Sequence, residues 1–539
     1  MDEHQPLKLD YVSPLPPVRS GIADYSADLL PHLAASCDLR LVHLPGQPVA
    51  EDLAGRWPLI PPERLGEGGR LPLYQMGNNH YHLGVYELAW RHPGVLTLHD
   101  MVLHHFLIDR TVKAKDFDAY RRQLAADHGW IGNAAAMPMR WPGGSGTAAQ
   151  FALPAHRSLL IRQRGVLVHS RWAAESLREE IPALEVHTVP MGIPLGDEPD
   201  GATGTAFRRR YGLPVDRPIL GCFGFQTPMK RTEVVIRALA EPGLENAHLM
   251  VAGEVAPILE LDGTAAAAGV SDRVHVLGFL PFEDFEAAIL ASDVCLNLRY
   301  PTAGETSASL LRILALGRPA VVSDYAQSAE LPPEGILKIP VGEGEVPALV
   351  GLLTDLLSDR SKLAAKGREA RRYVSREHQP RAAGAAIAAA CRELRESPPL
   401  SERFGGELRE AVEPPPPTTL VWSSLEGELE VSGAEPPWRE GERRRLTIRL
   451  KNRSSARWLA GERRHGGVAL EARIDADGRK LRTERDWIGL PFDLDPGQEH
   501  VFEVSLRRPP GPAWLRILPH VLGHGSFAEL DGPVWESEL

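Results

Sequence analysis

The residues best placed to do chemistry lie in Tyr300-Pro-Thr-Ala-Gly-Glu-Thr-Ser-Ala-Ser-Leu-Leu-Arg312, between an apolar run and a helical pattern. Gly304 and Glu305 precede Thr306 and Ser307 where the spacing predicts a helix start. Free backbone N–H groups and a partial positive charge make such a start suited to a diphosphate. A carboxylate such as Glu305 repels phosphate but accepts hydrogen bonds from sugar hydroxyls. A capping cluster with Glu in the first turn explains the same residues without any ligand. A second group is Gly224-Phe-Gln-Thr-Pro-Met-Lys230-Arg231. Two cations there would stabilise a leaving diphosphate without a metal. As plain surface charges at a helix start they would oppose the dipole. In a third group, Gly21 follows Ser20 and precedes Asp24. It lets backbone approach a phosphate, although Ser20 and Asp24 also suit an ordinary helix start. His99-Asp100 ends an apolar run, setting an imidazole at a strand's carboxyl edge with a carboxylate to orient it. The alternative is a polar pair satisfied within its loop. His104 and His105 read as helix residues and no metal is assigned to them.

These groups need elements to hold them. Strands are expected at 7–13, 38–44, 73–76, 95–98 and 165–169, with a helix over 21–34 and a polar, partly helical insertion at 110–150 whose Gly143-Gly144-Ser145-Gly146 signals a loop. The pattern repeats at 219–223, 248–252, 274–277, 294–298, 320–323 and 336–339. Strand–helix alternation of this length implies two parallel sheets covered by helices, with ligands at the strands' carboxyl ends. After Glu413-Pro-Pro-Pro-Pro417 the pattern changes to short alternating runs at 445–450, 468–474, 501–506 and 514–518, the signature of an all-β sandwich. The expected division is 1–200 and 201–396 as Rossmann-like units facing a cleft, 397–420 as a stiff Pro-rich linker, and 421–539 as a separable β-sandwich.

Composition narrows the function. The chain has 539 residues and a net charge of −11, against broad nucleic-acid binding, which needs a cationic footprint. Cys37, Cys222, Cys295 and Cys391 form no C-x-x-C clip and sit among apolar residues, so buried reduced thiols are expected. The acidic, polar start MDEHQPLKLD is no secretory signal, and no apolar run reaches the ~18 residues of a spanning helix, so a cytoplasmic protein is expected. No G-x-G-x-x-G, P-loop, H-E-x-x-H or G-x-S-x-G is present. The D-x-D triplets Asp475-Ala-Asp477 and Asp493-Leu-Asp495 lie in the β block among turn signals and read as turns, so no metal site is expected.

Taken together, Gly21, Lys230 and Leu316-Gly-Arg-Pro-Ala-Val-Val-Ser-Asp324 resemble glycosyltransferase family 4, the retaining GT-B enzymes. The resemblance covers roughly residues 7 to 395. It implies that the second unit binds a nucleoside-diphosphate sugar, with a helix over 373–394 crossing back to the first unit. Lys230 matches the family's basic residue at the donor phosphates; Arg231 stands where Gly is usual. Counted back from Gly317, Glu305 lies one position later than the family's first Glu, and the second, which holds the ribose, falls on Arg312. The β block, through Asn452-Arg-Ser454-Ser-Ala-Arg-Trp458, resembles Ig-like modules of bacterial polysaccharide-assembly proteins. Its Trp438, Trp458, Trp487, Trp514 and Trp535 would stack on sugars if exposed and fill a core if buried.

The expected function is thus a metal-independent retaining glycosyltransferase with no cofactor. His99, Glu305 and Lys230 are the catalytic candidates. Gly21, Gly224, Lys230, Arg231, Thr306 and Ser307 are the donor-binding ones. Asn78, Asn79 and His80 are expected to line the acceptor side. Partners would be a nucleotide sugar, a glycan or lipid-linked acceptor, and polysaccharide-assembly or peripheral membrane partners, with no nucleic acid. Two other readings fit the same scaffold: a non-catalytic glycan- or partner-binding protein on a degenerate GT-B frame, and a GT-B sugar-nucleotide epimerase.

Overall fold

The computed structural model describes residues 6–140, 147–196, 201–403, 417–422, 425–435, 437–461, 465–476, 484–527 and 532–538. The expected Gly143–Gly146 loop, Asp477 of the first D-x-D and most of the proline stretch lie outside them.

The first unit is a parallel sheet of β1 (Leu7–Val12), β2 (Cys37–Val42), β3 (Leu59–Ile60), β4 (Leu71–Met76), β5 (Val95–Leu98), β6 (Gly165–Val168) and β7 (Val186–Thr188), in spatial order β3-β2-β1-β4-β5-β6-β7. The second contains β8 (Ile219–Phe223), β9 (His248–Ala252), β10 (Val274–Gly278), β11 (Val294–Asn297), β12 (Ala320–Ser323) and β13 (Ile336–Ile339), in order β10-β9-β8-β11-β12-β13. Strands such as β5, β8 and β12 are buried at every position. That is why they read as unbroken apolar runs rather than alternating ones. Both sheets are doubly wound, so the fold is two Rossmann-like units as expected.

The helix Pro380–Leu394 leaves the second unit and packs on helix Gly21–Leu33 of the first. Gly384 permits the approach: a Cβ there would lie 2.8 Å from the His32 backbone. Unit 201–396 is therefore continuous in sequence but not in space, its last helix belonging with the first sheet.

The β block has β14 (Gly427–Ser432), β15 (Arg443–Asn452) and β18 (Glu499–Arg507) in one antiparallel sheet. The other holds β16 (Val468–Ala476), β17 (Glu484–Gly489), β19 (Ala513–Val521), β20 (Gly525–Ser526) and β21 (Trp535–Glu538). Strand β18 alternates, with Phe502, Val504 and Leu506 inward and Val501, Glu503, Ser505 and Arg507 outward, the pattern of a sheet with one solvated face. Asn452 is buried and satisfied: its Nδ2 donates to Ala456 and Leu494 carbonyls, and its Oδ1 accepts from Ser454. Ser454 in turn accepts from the Trp458 indole. The Asn452–Trp458 segment thus closes a corner. Trp438 and Trp458 are core residues, whereas Trp487 and Trp514 are exposed.

The β block, expected to be separable, is packed against the first unit. Leu420, Val421 and Leu459 are buried in one cluster with Val42, Leu44 and Tyr86 of the first unit. The Glu87 carboxylate accepts from Thr418 N (2.7 Å) and Thr418 Oγ1 (2.6 Å). Gly46 packs so closely on the block that a Cβ would lie 2.3 Å from Gly523 O. Each fully buried aliphatic side chain stabilises by about 1.5–3 kcal/mol. A chain ended at Glu396 is therefore expected to melt at least about 5 °C lower in a thermal scan and to aggregate; an unchanged melting point would contradict this docking.

Candidate active site

In each doubly wound sheet the strand order reverses at one crevice, between β1 and β4 in the first and between β8 and β11 in the second. Ligands bind at the carboxyl ends of strands there. The sequence candidates follow these strands: Gly21 after β1, Asn78 to His80 after β4, Gly224 to Arg231 after β8, and Glu305 to Ser307 after β11.

In the second unit, Gly224 turns the chain at φ +76°. A Cβ there would sit 2.8 Å from Lys230 Nζ. Glycine thus makes room for a lysine that folds back to donate to the Phe223 carbonyl at 2.5 Å. Burial around the amine, reinforced by the charge of Arg299, lowers the Lys230 pKa to about 7. Arg299, at the end of β11, was not among the sequence candidates. Its backbone N donates to Ser323 Oγ, and its guanidinium lies 2.9 Å from Glu305. A cation directly after an apolar strand was the signal that could have found it. Glu305 also accepts from Thr302 Oγ1 at 3.0 Å and Ala303 N at 3.1 Å. A carboxylate offers about four lone-pair sites. Thr302 and Ala303 use two of them, both on Oε2, and the Arg299 ion pair lies at Oε1, which leaves room there for a further donor.

The expected helix start falls at Ser307. The helix runs Ala308–Ala315 and Ser307 is its N-cap, accepting from Leu310 N. Thr306 and Glu305 lie before the cap, and Glu305 is not a first-turn residue. Arg231 differs from the expectation of an unpaired cation. It sits at φ +59°, where Gly is the unstrained residue. Its guanidinium is ion-paired to the buried Glu345, as that of Arg299 is to Glu305.

The first unit meets this loop directly. Met101 N and Val102 N donate to the Ala303 carbonyl at 2.7 and 3.1 Å. Gly304, at φ +77°, fits against Met101 and Trp172 because it has no side chain. Ser20 caps helix Gly21–Leu33, and a Cβ on Gly21 would meet nothing within 4 Å. His99 is buried, with Nε2 2.9 Å from Gln75 Oε1 and its ring against Tyr25 and His169. Burial holds its pKa well below the usual value, so the imidazole is neutral near pH 7. The Asp100 carboxylate does not orient it; it accepts from Asn78 N, and burial with the Glu305 charge raises its pKa to about 7. Around His99 the buried Tyr25 hydroxyl, Gln75 Nε2, Thr97 Oγ1 and His169 Nε2 have no hydrogen-bond partner.

Asn78 and Asn79 are spent on the local fold. Asn78 Oδ1 accepts from Phe106 N, and Asn79 Oδ1 accepts from Tyr81 N and bonds His82 Nδ1. Their side-chain oxygens thus brace the loop after β4. His80 is exposed and lines a different cavity, described below.

Arg312 bridges the cleft. It pairs with Asp28 of helix Gly21–Leu33 at 2.9 Å and approaches Glu286 at 3.8 Å, with its guanidinium over the Phe282 ring. Burial raises the pKa of Asp24 and of Asp28, and the Arg312 charge opposes the rise. Arg312→Glu would set a carboxylate among these acids, with an expected cost of roughly 2–4 kcal/mol, since breaking a partly buried pair leaves uncompensated charge. The expected fall in melting temperature is about 5–10 °C; an unchanged value would show that the bridge does not hold the units together.

Residues 217–359 match the family described as Glycosyl transferases group 1. A GDP-mannose-dependent alpha-(1-6)-phosphatidylinositol monomannoside mannosyltransferase of Mycolicibacterium smegmatis is 29% identical over 216 residues, 38% of this chain and 56% of that relative. The chain thus spans little more than half the length of this curated relative. Among solved structures, a sucrose-phosphate synthase from Thermosynechococcus elongatus aligns with TM-score 0.52 at 18% identity, covering 72% of this chain and 99% of that one. Anabaena HepE in complex with UDP aligns with TM-score 0.51 at 16% identity, covering 72% and 100%. These likenesses show the GT-B fold. The second α/β unit therefore carries the group 1 glycosyltransferase sequence pattern over residues 217–359, set within a GT-B fold.

Proposed function

We propose that the protein transfers a sugar from a nucleoside-diphosphate sugar to a glycan or lipid-linked acceptor, with retention of configuration and without a divalent metal. The observation that carries this is the meeting of Lys230, Arg299 and Glu305 at the β8/β11 crevice. Arg299, and Lys230 in its protonated form, supply positive charge to a departing diphosphate, the role a metal plays elsewhere. The remaining lone pair of Glu305 accepts from a donor-sugar hydroxyl. Gly21 admits the diphosphate to the helix start of the first unit. The unsatisfied atoms around neutral His99 receive polar groups of the sugar, and His99 contacts it as a hydrogen-bonding group rather than a cation. Contact between the Ala303 carbonyl and the 101–102 backbone closes one side of the cleft, which limits loss of the donor to water.

Retention rests on the family resemblance. The UDP in the HepE complex and the GDP-mannose in the mannosyltransferase's name make UDP- and GDP-sugars the first donors to try. The test is release of free nucleotide from UDP-glucose, GDP-mannose and ADP-glucose by the full chain, with and without EDTA. Turnover of one donor, unchanged within about twofold by EDTA, is expected. Nucleotide binding without turnover on any of the three would favour the binding-protein reading, and activity abolished by EDTA and restored by magnesium would overturn metal independence.

A further inference from the structure

A second cavity, of about 1020 Å³, lies between the first α/β unit and the β block. It exceeds the roughly 300–1,000 Å³ typical of pockets for drug-sized ligands, so it has room for more than one sugar ring. The first unit contributes Arg19, Tyr86, Trp90 and Arg110, and the β block contributes Arg457 and His465. The cavity reaches the Pro17–Arg19 stretch, the loop that leads into Gly21 at the proposed donor site. Arg19 also stacks on Phe279 of the second unit, 4.8 Å from the ring centroid. One end of the cavity is therefore at the mouth of the cleft.

The charges there are not balanced in use. The lining acids are all engaged. Glu87 accepts from Thr418, Asp109 pairs with Lys113 at 2.5 Å, Asp116 caps Ala119 N and Asp493 accepts from Ala460 N. Arg457 is held by Asp495 at 2.6 Å. Arg19 and Arg110, by contrast, have aromatic rings as partners and no carboxylate among the described residues; Arg110 stacks on Tyr86 at 4.8 Å. Tyr86 and Trp90 stack on each other at 5.5 Å. Guanidinium groups with unspent donors bond carboxylate or phosphate in a bidentate fork. The docking of the β block builds one wall of this site, which explains why it is packed on the first unit rather than tethered.

We propose that this cavity binds a saccharide chain bearing acidic groups, as the extended part of the acceptor, and that the β block forms half of the binding site. The inference rests on the glycosyltransferase reading and names its acceptor class. The test uses the full chain with two probes, hexagalacturonate as an acidic chain and maltohexaose as a neutral one, titrated by calorimetry. Binding of the acidic probe at least tenfold tighter than the neutral one is expected. Arg110→Ala, on the α/β side, and Arg457→Ala, on the β side, should each weaken it fivefold or more. Melting shifts with UDP, GDP and ADP, measured on the same variants, should match the parent and show that both are folded. If a nucleotide binds but the acidic probe does not, or binds no better than maltohexaose, or binds equally well after both substitutions, the acceptor inference is overturned while the donor reading stands. If no nucleotide binds, the donor reading itself fails.

Discussion

Lys230→Ala is expected to weaken binding of a bare nucleoside diphosphate by about 10- to 150-fold, the effect of losing a charge-assisted hydrogen bond worth about 1.5–3 kcal/mol. The effect should carry a pH signature. In the unliganded protein Lys230 has its pKa lowered to about 7 by burial. An arriving diphosphate favours the charged amine and raises that pKa again. Below pH 7 the amine is already charged and affinity is flat. Above pH 7 a proton must be taken up with the ligand, so affinity falls by up to about tenfold per pH unit until the pKa of the complex is reached. Calorimetry in buffers of different ionisation enthalpy reads that uptake directly. The alanine variant should show neither the slope nor the uptake. The sign for stability is opposite. A lysine with a depressed folded pKa destabilises the fold fully below about pH 7, and the penalty fades as pH rises toward the unfolded value of 10.5. Lys230→Met should therefore raise the melting temperature of the unliganded protein at pH 6 while weakening the ligand. A merely structural lysine would lose both together.

Glu305→Ala is expected to lower kcat/KM with a nucleotide sugar by roughly 10- to 150-fold, because a sugar hydroxyl loses a charged acceptor inside a closed site. The bare nucleoside diphosphate has no sugar, and freeing Arg299 from its ion pair leaves that cation to the phosphates. Affinity for the bare nucleotide should therefore hold or rise. Glu305→Gln, which keeps the shape but not the charge, should fall between the parent and the alanine variant. Equal losses for nucleotide sugar and bare nucleotide would mean that Glu305 only braces its loop through Thr302, Ala303 and Arg299.

The two parallel sheets were legible because their strands are buried on both faces, so runs such as Ile219–Phe223 and Ala320–Ser323 stand out without any alternation. Strand β3 was not legible, since two residues between Pro58 and Pro61 carry no period. Strand β17, Glu-Arg-Asp-Trp-Ile-Gly, carries no apolar alternation and lies at the end of its sheet's strand order, paired with β16. At the site, motif spacing singled out Gly21, Gly224, Lys230 and Glu305, whose backbone positions the local chain dictates. It did not single out Arg299 or His169, which reach their neighbours from other strands, nor Tyr25, which it read as a core residue of its helix. It also gave Arg231 a free charge, because Glu345 lies 114 residues away and the pair exists only in the fold. Docking of the β block was hidden for the same reason. Leu420, Val421 and Leu459 look like ordinary residues of a linker and a strand until they meet Leu44 and Tyr86.

The most direct measurement of the central claim is calorimetric titration of the full chain with UDP, GDP and ADP at pH 7, in EDTA, beside the Lys230→Ala variant. Saturable binding of at least one nucleoside diphosphate in EDTA, weakened tenfold or more in the variant, is the predicted result. No binding by any of the three, or binding that the substitution leaves unchanged, would contradict a diphosphate site at the β8/β11 crevice.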